Sequence, residues 1–460
     1  MASISYWFLS PSLMLAMVGK LRGWDRTVST PTVDWRNVTV DVVLPAKNEE
    51  KAIALALSSL AQQDFPYRRV VVFDDGSTDR TSQIVERYRQ LTGREIQLVR
   101  REKSIGKTPS LREFCEETDA DAMVILDADT VLVSPNYISR VVEELFKNAG
   151  VSAACGEVMP LTERRRNQIA KADQNVRAVQ AEFALPTPAK EGFWLRFLTS
   201  LTILYRAPMY ILLQRTLYDG TLKLFGGQLN PVGCAVAYKT KRLRECFTYA
   251  KPRVGDNMSM SEDIYIGHFF NWKGYRSVQV IGVHCESTEP PITRLPKQLF
   301  LWSSAFLQST YYFIDLPLSP LRHLKRLFTM RGKTPEQAEG EGKRKVKEQY
   351  RSAWGEEVTR RDGRPVGWLE LVSLLEKLIY PLILLYLAVF NTEAFFITIA
   401  VEAAFCMLLI LMTADYGSRF KYAAMIVPAT PVRLLGLGVD IVASVRCLAD
   451  LAGGNRNWRK

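Results

Sequence analysis

The first third of the chain alternates short apolar runs with amphipathic segments. Three β-branched runs, at residues 39–45 (TVDVVLP), 69–75 (RVVVFDD) and 122–127 (AMVILD), predict buried strands. The segments between them, at 49–63 and 81–90, carry apolar residues at helical spacing. This order of strand and helix predicts a doubly wound α/β domain with a mostly parallel sheet. Ligands of such domains bind beyond the carboxyl ends of the strands.

The longest apolar segments lie in the last hundred positions. Residues 378–390 are apolar, residues 368–375 extend this run upstream, and residues 394–414 carry Glu402 as their single charge. Because about 20 apolar residues suffice to cross a bilayer, the two runs and the polar break at 391–393 predict a membrane hairpin. The alternative is a pair of buried helices in a large soluble domain.

Two further apolar segments are less regular. Residues 423–448 are interrupted by two prolines and three charged residues, which predicts a kinked or interfacial element. Residues 5–19 are apolar and are followed by Lys20, Arg22 and Arg26. A secretory signal carries its positive charge before the apolar run. The N-terminal segment is therefore predicted to be an interfacial helix, or a short span whose C-terminal side is cytosolic.

Positive charge predicts an anionic partner and the side of the membrane on which the soluble region lies. The 460 residues include 60 Lys and Arg against 48 Asp and Glu, a net charge of +12, which suits nucleic acid, anionic lipid or nucleotide phosphates. Residues 322–364 hold 13 Lys and Arg against seven Asp and Glu, directly before the first apolar run, so the soluble region is expected to be cytosolic. This stretch lacks interleaved aromatic residues, so no nucleic-acid partner is expected. Residues 335–347 are expected to be a solvated linker.

Cysteine and histidine usage restricts the chemistry. The seven cysteines are odd in number and never form a CxxC pair, which argues against a disulfide framework or a structural zinc site and favours a reducing compartment. The three histidines have no metal-ligand spacing, so a Ser-His-Asp hydrolase is not expected. Any metal is expected to be held by carboxylates.

Acidic clusters follow the predicted strands. They are DDGSTD at 74–79, Asp127-Ala128-Asp129 directly after the third strand, and Ser261-Glu262-Asp263 further on. Two carboxylates two residues apart can hold a hard divalent cation and leave positions open for phosphate oxygens. The alternative is a capped turn, which for residues 74–79 is compatible with ligand binding.

Seven segments, taken in order, carry a resemblance. They are LPAKNEE (44–50), DDGSTD (74–79), GK (106–107), LDADT (126–130), NPVGCAVAYKTKRL (230–243), SEDIYIG (261–267) and QLFLW (298–302). Together they resemble the family 2 inverting glycosyltransferases over roughly residues 37–305. The nearest branch is membrane-embedded and includes cellulose, hyaluronan, chitin and poly-N-acetylglucosamine synthases. The resemblance implies a GT-A catalytic domain.

The resemblance also implies roles for the donor-side residues. Asp75, with Asp74 beside it, would contact the nucleoside of a nucleotide-sugar, and Lys107 would approach its base or phosphates. Asp127 and Asp129 look like the DxD pair that binds diphosphate through Mg2+ or Mn2+. A cation there matches the need to neutralise a nucleoside diphosphate leaving group.

Residues later in the chain resemble the catalytic machinery. Asp263 looks like the base that takes the proton from the acceptor hydroxyl. Glu262 would be its neighbour on the acceptor side. The turn at Gly233 resembles a loop that lines the donor or acceptor pocket, where a small residue allows close backbone approach.

The acceptor motif departs from the family. Gln298 and Trp302 are kept, but Leu301 stands where the family usually has arginine. Either another basic residue, such as Lys297 or Arg294, takes over that role, or the acceptor is handled differently. Trp302 would stack on an acceptor sugar; the alternative is an aromatic residue of an interfacial helix.

Pattern and resemblance together predict four regions. These are an N-terminal interfacial or short membrane helix at 1–36, a GT-A domain at 37–290, the acceptor motif with interfacial helices and a basic linker at 291–365, and transmembrane or interfacial helices at 366–460. The enzyme is expected in the plasma (inner) membrane with its catalytic domain cytosolic. Few spans are predicted, so export of a polymer would require a homo-oligomer or a partner.

Three functions remain open from the sequence. The first is transfer of a sugar from a UDP- or GDP-sugar to a growing β-linked polysaccharide. The second is a single transfer to a polyprenyl phosphate or glycolipid. The third is a nucleotide sensor or scaffold with a degenerate transferase domain, against which the retained carboxylates argue.

Overall fold

The computed structural model describes residues 10–22, 34–148, 150–185, 192–255, 261–330 and 355–454, without the side chains of residues 326, 327, 329 and 330. The predicted linker at 335–347 therefore lies outside the described residues. The strands are β1 (Val40–Ala46), β2 (Arg69–Asp74), β3 (Ile96–Arg100), β4 (Ala122–Leu126), β5 (Thr130–Leu132), β6 (Val151–Pro160), β7 (Ala235–Lys239) and β8 (Arg276–Ser287).

Helices surround these strands and form the C-terminal region. In the first half they are α1 (Pro11–Arg22), α2 (Ile53–Ala61), α3 (Thr81–Thr92), α4 (Lys107–Glu117), α5 (Tyr137–Lys147), α6 (Glu163–Ala172), α7 (Gln174–Glu182), α8 (Phe193–Ile211) and α9 (Asp219–Phe225). A π-helical segment, Leu212–Tyr218, joins α8 to α9. The remaining helices are α10 (Thr240–Val254), α11 (Glu262–Lys273), α12 (Leu295–Tyr312), α13 (Ser319–Met330), α14 (Glu356–Asp362), α15 (Gly367–Phe390), α16 (Thr392–Thr413) and α17 (Arg419–Ala452).

The strands form one mixed sheet of eight, in the order β3-β2-β1-β4-β7-β6-β8-β5. Strands β3, β2, β1 and β4 are parallel, and β6 runs parallel to β8. Strand β7 lies antiparallel between β4 and β6, and β5 pairs antiparallel with β8. The predicted α/β domain with a mostly parallel sheet is confirmed.

Strand β1 is apolar from Val42 to Ala46 because both faces of the sheet are covered there. Val42 and Leu44 pack in a core beneath α2, α3 and α5, whereas Val43 packs in a second core beneath α4, α10 and α11. Successive side chains of a strand point to opposite faces, so a strand buried on both sides is mostly apolar. The exception is Asp41, a buried carboxylate that pairs with Arg68 and Arg69.

Helix α1 is docked against the catalytic domain. A Cβ at Gly19 would lie 2.0 Å from the carbonyl oxygen of Gly220 on α9, so the two helices touch backbone to backbone. Lys20 Nζ lies 2.8 Å from Asp219 Oδ2 at the same contact. The placement of α1 relative to a membrane stays a prediction.

Two helices of the described chain, α15 and α16, are long and apolar enough to cross a membrane. The predicted break between them is confirmed: α15 ends at Phe390, and the side chain of Asn391 accepts a hydrogen bond from the backbone N–H of Ala394 (3.1 Å) in the first turn of α16. The third segment forms one long helix, α17, which contains Pro428 and Pro431. Its placement relative to a membrane stays a prediction.

A buried ion pair joins α15 to the catalytic domain. His268 of α11 places Nε2 2.9 Å from Glu370 Oε1 of α15, and its Nδ1 lies 2.8 Å from the carbonyl oxygen of Ile264. Each ring nitrogen lies within hydrogen-bond distance of an acceptor, which favours the protonated form of the imidazole. Burial alone would lower the pKa of His268, but the charge of Glu370 and the hydrogen bonds outweigh it and raise the pKa.

Replacing Glu370 by leucine is expected to destabilise the protein by about 3 kcal/mol, because a buried imidazolium loses its counter-ion. The raised pKa of His268 means that the pair stabilises the fold at acidic and neutral pH and loses this effect as the pH rises through the folded-state pKa. Denaturant unfolding of the purified protein in detergent measures the loss.

The matched control is Glu393→Leu in the first turn of α16, where the side chain is exposed. Its free energy of unfolding should change by less than about 0.5 kcal/mol. Equal changes in the two variants would show that the ion pair contributes no more than an exposed carboxylate.

Candidate active site

The DxD pair lies where β4 ends. Asp127 follows Leu126 directly, and its backbone N–H donates to the carbonyl oxygen of Cys234 (2.8 Å), which fixes the strand end beside β7. Ala128 is buried, whereas Asp127 and Asp129 both line a cavity of about 500 Å³. The two predicted carboxylates therefore share one cavity.

Lys107 connects this strand end to α11. It is the first residue of α4, and its Nζ lies 2.7 Å from Asp127 Oδ1 and 2.8 Å from Glu262 Oε1. Burial alone would lower the pKa of Lys107, but the charges of Asp127 and Glu262 raise it well above its ordinary value. The cavity thus contains a permanent cation between two carboxylates.

Asp263 lies in the first turn of α11 and lines the same cavity. The residue before this helix, Ser261, has a φ of 98°, a left-handed conformation that non-glycine residues rarely adopt. Burial, together with the negative charge of Glu262, raises the pKa of Asp263 to about 7. A carboxylate with this pKa can accept and release a proton near neutral pH.

Gly233 permits the close approach of the β7 turn to Asp263. A Cβ at this glycine would lie 2.7 Å from Asp263 Oδ2 and 2.8 Å from its Cγ. A Cβ atom does not come within 3.0 Å of a non-bonded heavy atom, so any residue larger than glycine would displace the carboxylate. The turn that the sequence analysis selected is brought against the predicted base.

Negative charge is concentrated around the DxD pair. Burial, and then the charges of Asp129 and Asp127, raise the pKa of Glu49 to about 8. The pKa values of Asp127 and Asp129 are also raised, chiefly by burial. Glu49 belongs to the LPAKNEE segment but is not among the predicted site residues. Its position between a strand and a buried helix is the sequence feature that could have identified it.

This carboxylate chemistry fits a divalent cation, because hard oxygen ligands and excess negative charge are what Mg2+ and Mn2+ require. Within the described ranges there is no group of three or more His, Cys, Asp or Glu arranged to hold a metal. Two carboxylates of the cavity, Asp127 and Asp129, could bind such a cation, whose other positions would be open to phosphate and water.

The adjacent Asp74 and Asp75 have different partners. Asp75 accepts hydrogen bonds from the Ser104 hydroxyl (2.5 Å) and from the backbone N–H groups of Ile105 (2.8 Å) and Gly106 (2.9 Å), and these bonds lower its pKa despite burial. Asp74 accepts from the backbone N–H of Ser77 (2.8 Å) and from a serine hydroxyl at the start of α3. Asp75 thus fixes the loop that leads to Lys107, and the predicted nucleoside contact stays a prediction.

The acceptor motif lies on α12. Gln298, Leu301 and Trp302 line the same cavity as Asp263, and the Trp302 side chain is 37% exposed. Arg206, from α8, donates from Nη2 to Gln298 Oε1 (2.7 Å), and its guanidinium lies 4.4 Å from the centre of the Trp302 ring. A basic residue from another helix therefore contacts the acceptor motif.

A hydrogen-bonded chain extends from Arg206. Its Nη1 donates to the Tyr210 hydroxyl (2.9 Å), which donates to Glu289 Oε1 (2.9 Å). Arg294 and Lys297 are exposed and line a larger neighbouring groove. The sequence analysis missed Arg206, Tyr210 and Glu289, because no local pattern links α8 to the residues around α12.

The larger groove adjoins the cavity that is lined by Asp127, Asp129 and Asp263, which is called the catalytic cavity below. It has a volume of about 1520 Å³ and shares Asp129, Glu289, Gln298 and Leu301 with the catalytic cavity. The cavity and the groove are therefore adjacent, and a long ligand could extend from the carboxylates through the groove to the protein surface.

Comparison with known proteins finds a family match in the first half of the chain and two partial relatives. Residues 41–196 match the family Glycosyl transferase family 2. A poly-beta-1,6-N-acetyl-D-glucosamine synthase of Staphylococcus epidermidis is 27% identical over 119 residues, which are 25% of this chain and 28% of that protein. A beta-monoglucosyldiacylglycerol synthase of Synechocystis sp. is 36% identical over 107 residues, 22% of this chain and 22% of that protein.

Both matches leave most of each relative uncovered, since this chain spans about a quarter of their length. Among solved structures, a mannosyltransferase from Pyrobaculum calidifontis in complex with GDP-Man and Mn2+ is 17% identical. The superposition covers 92% of this chain and 94% of that one, with a TM-score of 0.49.

Proposed function

We propose, from the family 2 glycosyltransferase domain that this chain carries at residues 41–196, that it is a membrane-bound, metal-dependent inverting hexosyltransferase. It moves a sugar from a UDP- or GDP-sugar to a growing β-linked polysaccharide at the cytosolic face of the plasma membrane. One observation carries the proposal: the DxD pair, Lys107, the raised-pKa Asp263 and the acceptor motif line a single cavity.

The donor's diphosphate binds at the DxD end of the cavity. A divalent cation held by Asp127 and Asp129 would neutralise the negative charge that develops on the departing nucleoside diphosphate. Lys107 supplies a fixed positive charge beside Asp127. Asp75 holds the loop that carries Lys107, and so keeps this charge in place.

Asp263 acts on the acceptor. Its carboxylate takes the proton of the acceptor hydroxyl while the hydroxyl oxygen forms a bond to the anomeric carbon. The bond from that carbon to the diphosphate breaks on the opposite side, so the configuration inverts. Burial and the negative charge of Glu262, which pairs with Lys107, raise the pKa of Asp263 and so favour its proton uptake.

A polymeric acceptor is favoured by the open groove and by one relative. The groove of about 1520 Å³ continues from Gln298 and Leu301 and can accommodate several sugar units. The Staphylococcus epidermidis relative is named as a poly-beta-1,6-N-acetyl-D-glucosamine synthase. The apolar helices α15 and α16 support attachment to a membrane.

A lipid acceptor is the second candidate. A cavity of about 390 Å³ lies among α8, α15, α16 and α17 and shares Leu213 with the catalytic cavity. Most of its lining is apolar and could contact a hydrocarbon chain, although the lining also includes the charged residues Glu376, Lys377, Glu402, Arg433 and Asp440. The Synechocystis relative is named as a beta-monoglucosyldiacylglycerol synthase.

Washed membranes that contain the protein, incubated with labelled UDP- and GDP-sugars and Mn2+ or Mg2+, test the proposal. Membranes with the Asp263→Asn variant serve as the control. Label in a large water-soluble product supports the polysaccharide synthase and identifies its donor. Label in the solvent-extractable fraction supports the lipid acceptor. If no donor gives more label than the control membranes, the enzymatic assignment is wrong.

Gly233→Ala is expected to lower transfer about 100-fold with the fold intact, because the added Cβ displaces the Asp263 carboxylate. The φ of Gly233 is one that alanine adopts, so the effect is steric. Initial rates measure the loss of transfer, and the melting temperature shows whether the fold is intact. Gly227→Ala is the matched control: its Cβ would have its nearest contact at 3.5 Å, and its rate should be unchanged. Equal rates in both variants would contradict the prediction.

A further inference from the structure

The guanidinium of Arg206 is buried in the wall of the catalytic cavity. The residue is 3% exposed, and its two terminal nitrogens donate to Gln298 and Tyr210. Its Nε makes no hydrogen bond to the described residues and lies 3.8 Å from Glu289 Oε2. Arg206 is thus held by Tyr210 on its own helix and by Gln298 and Glu289 from two later parts of the chain, and cannot change position easily.

The same guanidinium stacks on Trp302. The distance of 4.4 Å to the ring centre is within the range of a cation–π contact, which fixes the ring by attraction to its face. Trp302 is nevertheless 37% exposed, so part of the indole faces the cavity that contains Asp263. Apolar aromatic surface presented to a cavity with polar walls is suited to the C–H face of a sugar ring.

The neighbouring position on α12 cannot supply this cation. Leu301 lines the cavity between Gln298 and Trp302, and its side chain has no charge. Lys297 and Arg294 are exposed in the outer groove. Among the described residues, the cation that contacts both Gln298 and Trp302 is Arg206.

We propose that Arg206 is a positioning residue for the acceptor: it holds Gln298 and Trp302 so that a sugar ring stacked on the indole presents its hydroxyl to Asp263. This inference rests on the proposed function. Because Arg206 acts through Trp302, its removal affects the acceptor and leaves the donor site, formed by Asp127, Asp129 and Lys107, unaltered.

The test compares two reactions of the nucleotide-sugar donor that is identified by incubating washed membranes with labelled UDP- and GDP-sugars. One is transfer to a β-linked tetramer of the same sugar, and the other is hydrolysis of the donor with water as acceptor. Arg206→Met, which keeps length but removes charge, should lower kcat/KM for the tetramer about 100-fold. Donor hydrolysis and nucleotide affinity should change less than threefold. Arg206→Lys should recover part of the transfer, because an ammonium can still contact the ring.

A double-mutant cycle with Trp302→Ala separates positioning from a general structural role. Arg206→Met should have a much smaller further effect on transfer when Trp302 is absent, with only its contact to Gln298 left to lose. Arg215→Met is the control, since Arg215 continues the same helical run and pairs with Glu157 (2.6 Å) outside the cavity. It should leave the ratio of transfer to hydrolysis unchanged.

The following outcomes overturn the inference. They are equal losses of transfer and hydrolysis in Arg206→Met, additive effects of Arg206→Met and Trp302→Ala, and acceptance of a lipid phosphate but not of the tetramer. A wild-type protein that neither transfers nor hydrolyses any donor would instead contradict the proposed function. The two failures are therefore distinguishable.

Discussion

Replacing Asp263 by asparagine is expected to lower the rate of sugar transfer about 1000-fold while nucleotide binding in the presence of Mn2+ is retained. The amide has nearly the shape of the carboxylate but cannot take up the acceptor proton. Asp263 is separate from the DxD pair, so the diphosphate end of the cavity should be unchanged. Initial rates and calorimetric titration with the nucleoside diphosphate measure the two properties.

The pH dependence of the wild-type rate provides a second readout. The base works in its ionised form, and burial raises the pKa of Asp263 to about 7. Below that pH the ionised fraction, and with it the rate, should fall about tenfold per pH unit. The rate should level off above it. The residual activity of Asp263→Asn should lack this dependence.

Asp219→Asn is the control for this prediction. Asp219 pairs with Lys20 at the contact between α1 and α9, outside the catalytic cavity. Its transfer rate and pH profile should resemble those of the wild type. Transfer by Asp263→Asn at the wild-type rate would assign the proton acceptor to another residue.

Replacing Asp129 by asparagine is expected to lower transfer about 1000-fold and to abolish the stimulation by Mn2+ or Mg2+. The reason is that charge stabilisation by a bound cation contributes several kcal/mol to the transition state. Asp129 is preferred to Asp127 for this test, because Asp127 also pairs with Lys107. Metal titrations of transfer and of nucleotide affinity measure the change, and removal of metal from the wild-type protein by a chelator should reproduce it.

Asp121→Asn is a matched control for the metal prediction. Asp121 lies at the amino end of β4, whereas Asp129 follows its carboxyl end, and Asp121 accepts a hydrogen bond from the backbone N–H of Thr39 (2.9 Å). This variant should keep its response to metal. If Asp129→Asn also keeps the wild-type response, the cation is held by other residues.

Asp129→Asn and Asp263→Asn should differ in one respect. The first is expected to weaken metal-dependent nucleotide binding, and the second is not. This contrast separates the donor end of the cavity from the base.

Local patterns in the sequence determined three of the eight strands of the α/β domain and the two long apolar helices of the C-terminal region. The runs at 39–45, 69–75 and 122–127 became β1, β2 and β4 within one residue at each end. The apolar segments around 391–393 became α15 and α16. These predictions succeed because a strand buried on both faces of a sheet, and a helix long enough to cross a bilayer, each need a mostly apolar run that is visible without knowing its partners.

Helix bounds were less well determined. The predicted helix at 49–63 is confined to α2, Ile53–Ala61, because the residues before it form a loop on which Glu49 faces Asp127 and Asp129. A helical spacing of apolar residues does not show where such a loop ends.

Only the tertiary structure decided how the site is assembled. The antiparallel insertion of β7 between β4 and β6 brings Gly233 against Asp263, and α4 brings Lys107 between Asp127 and Glu262. Arg206 reaches Gln298 and Trp302 from a helix about 90 residues earlier in the chain. Residue types and spacing identify which side chains can perform chemistry, but contacts between distant segments depend on how the helices and strands pack, and no local periodicity records that packing.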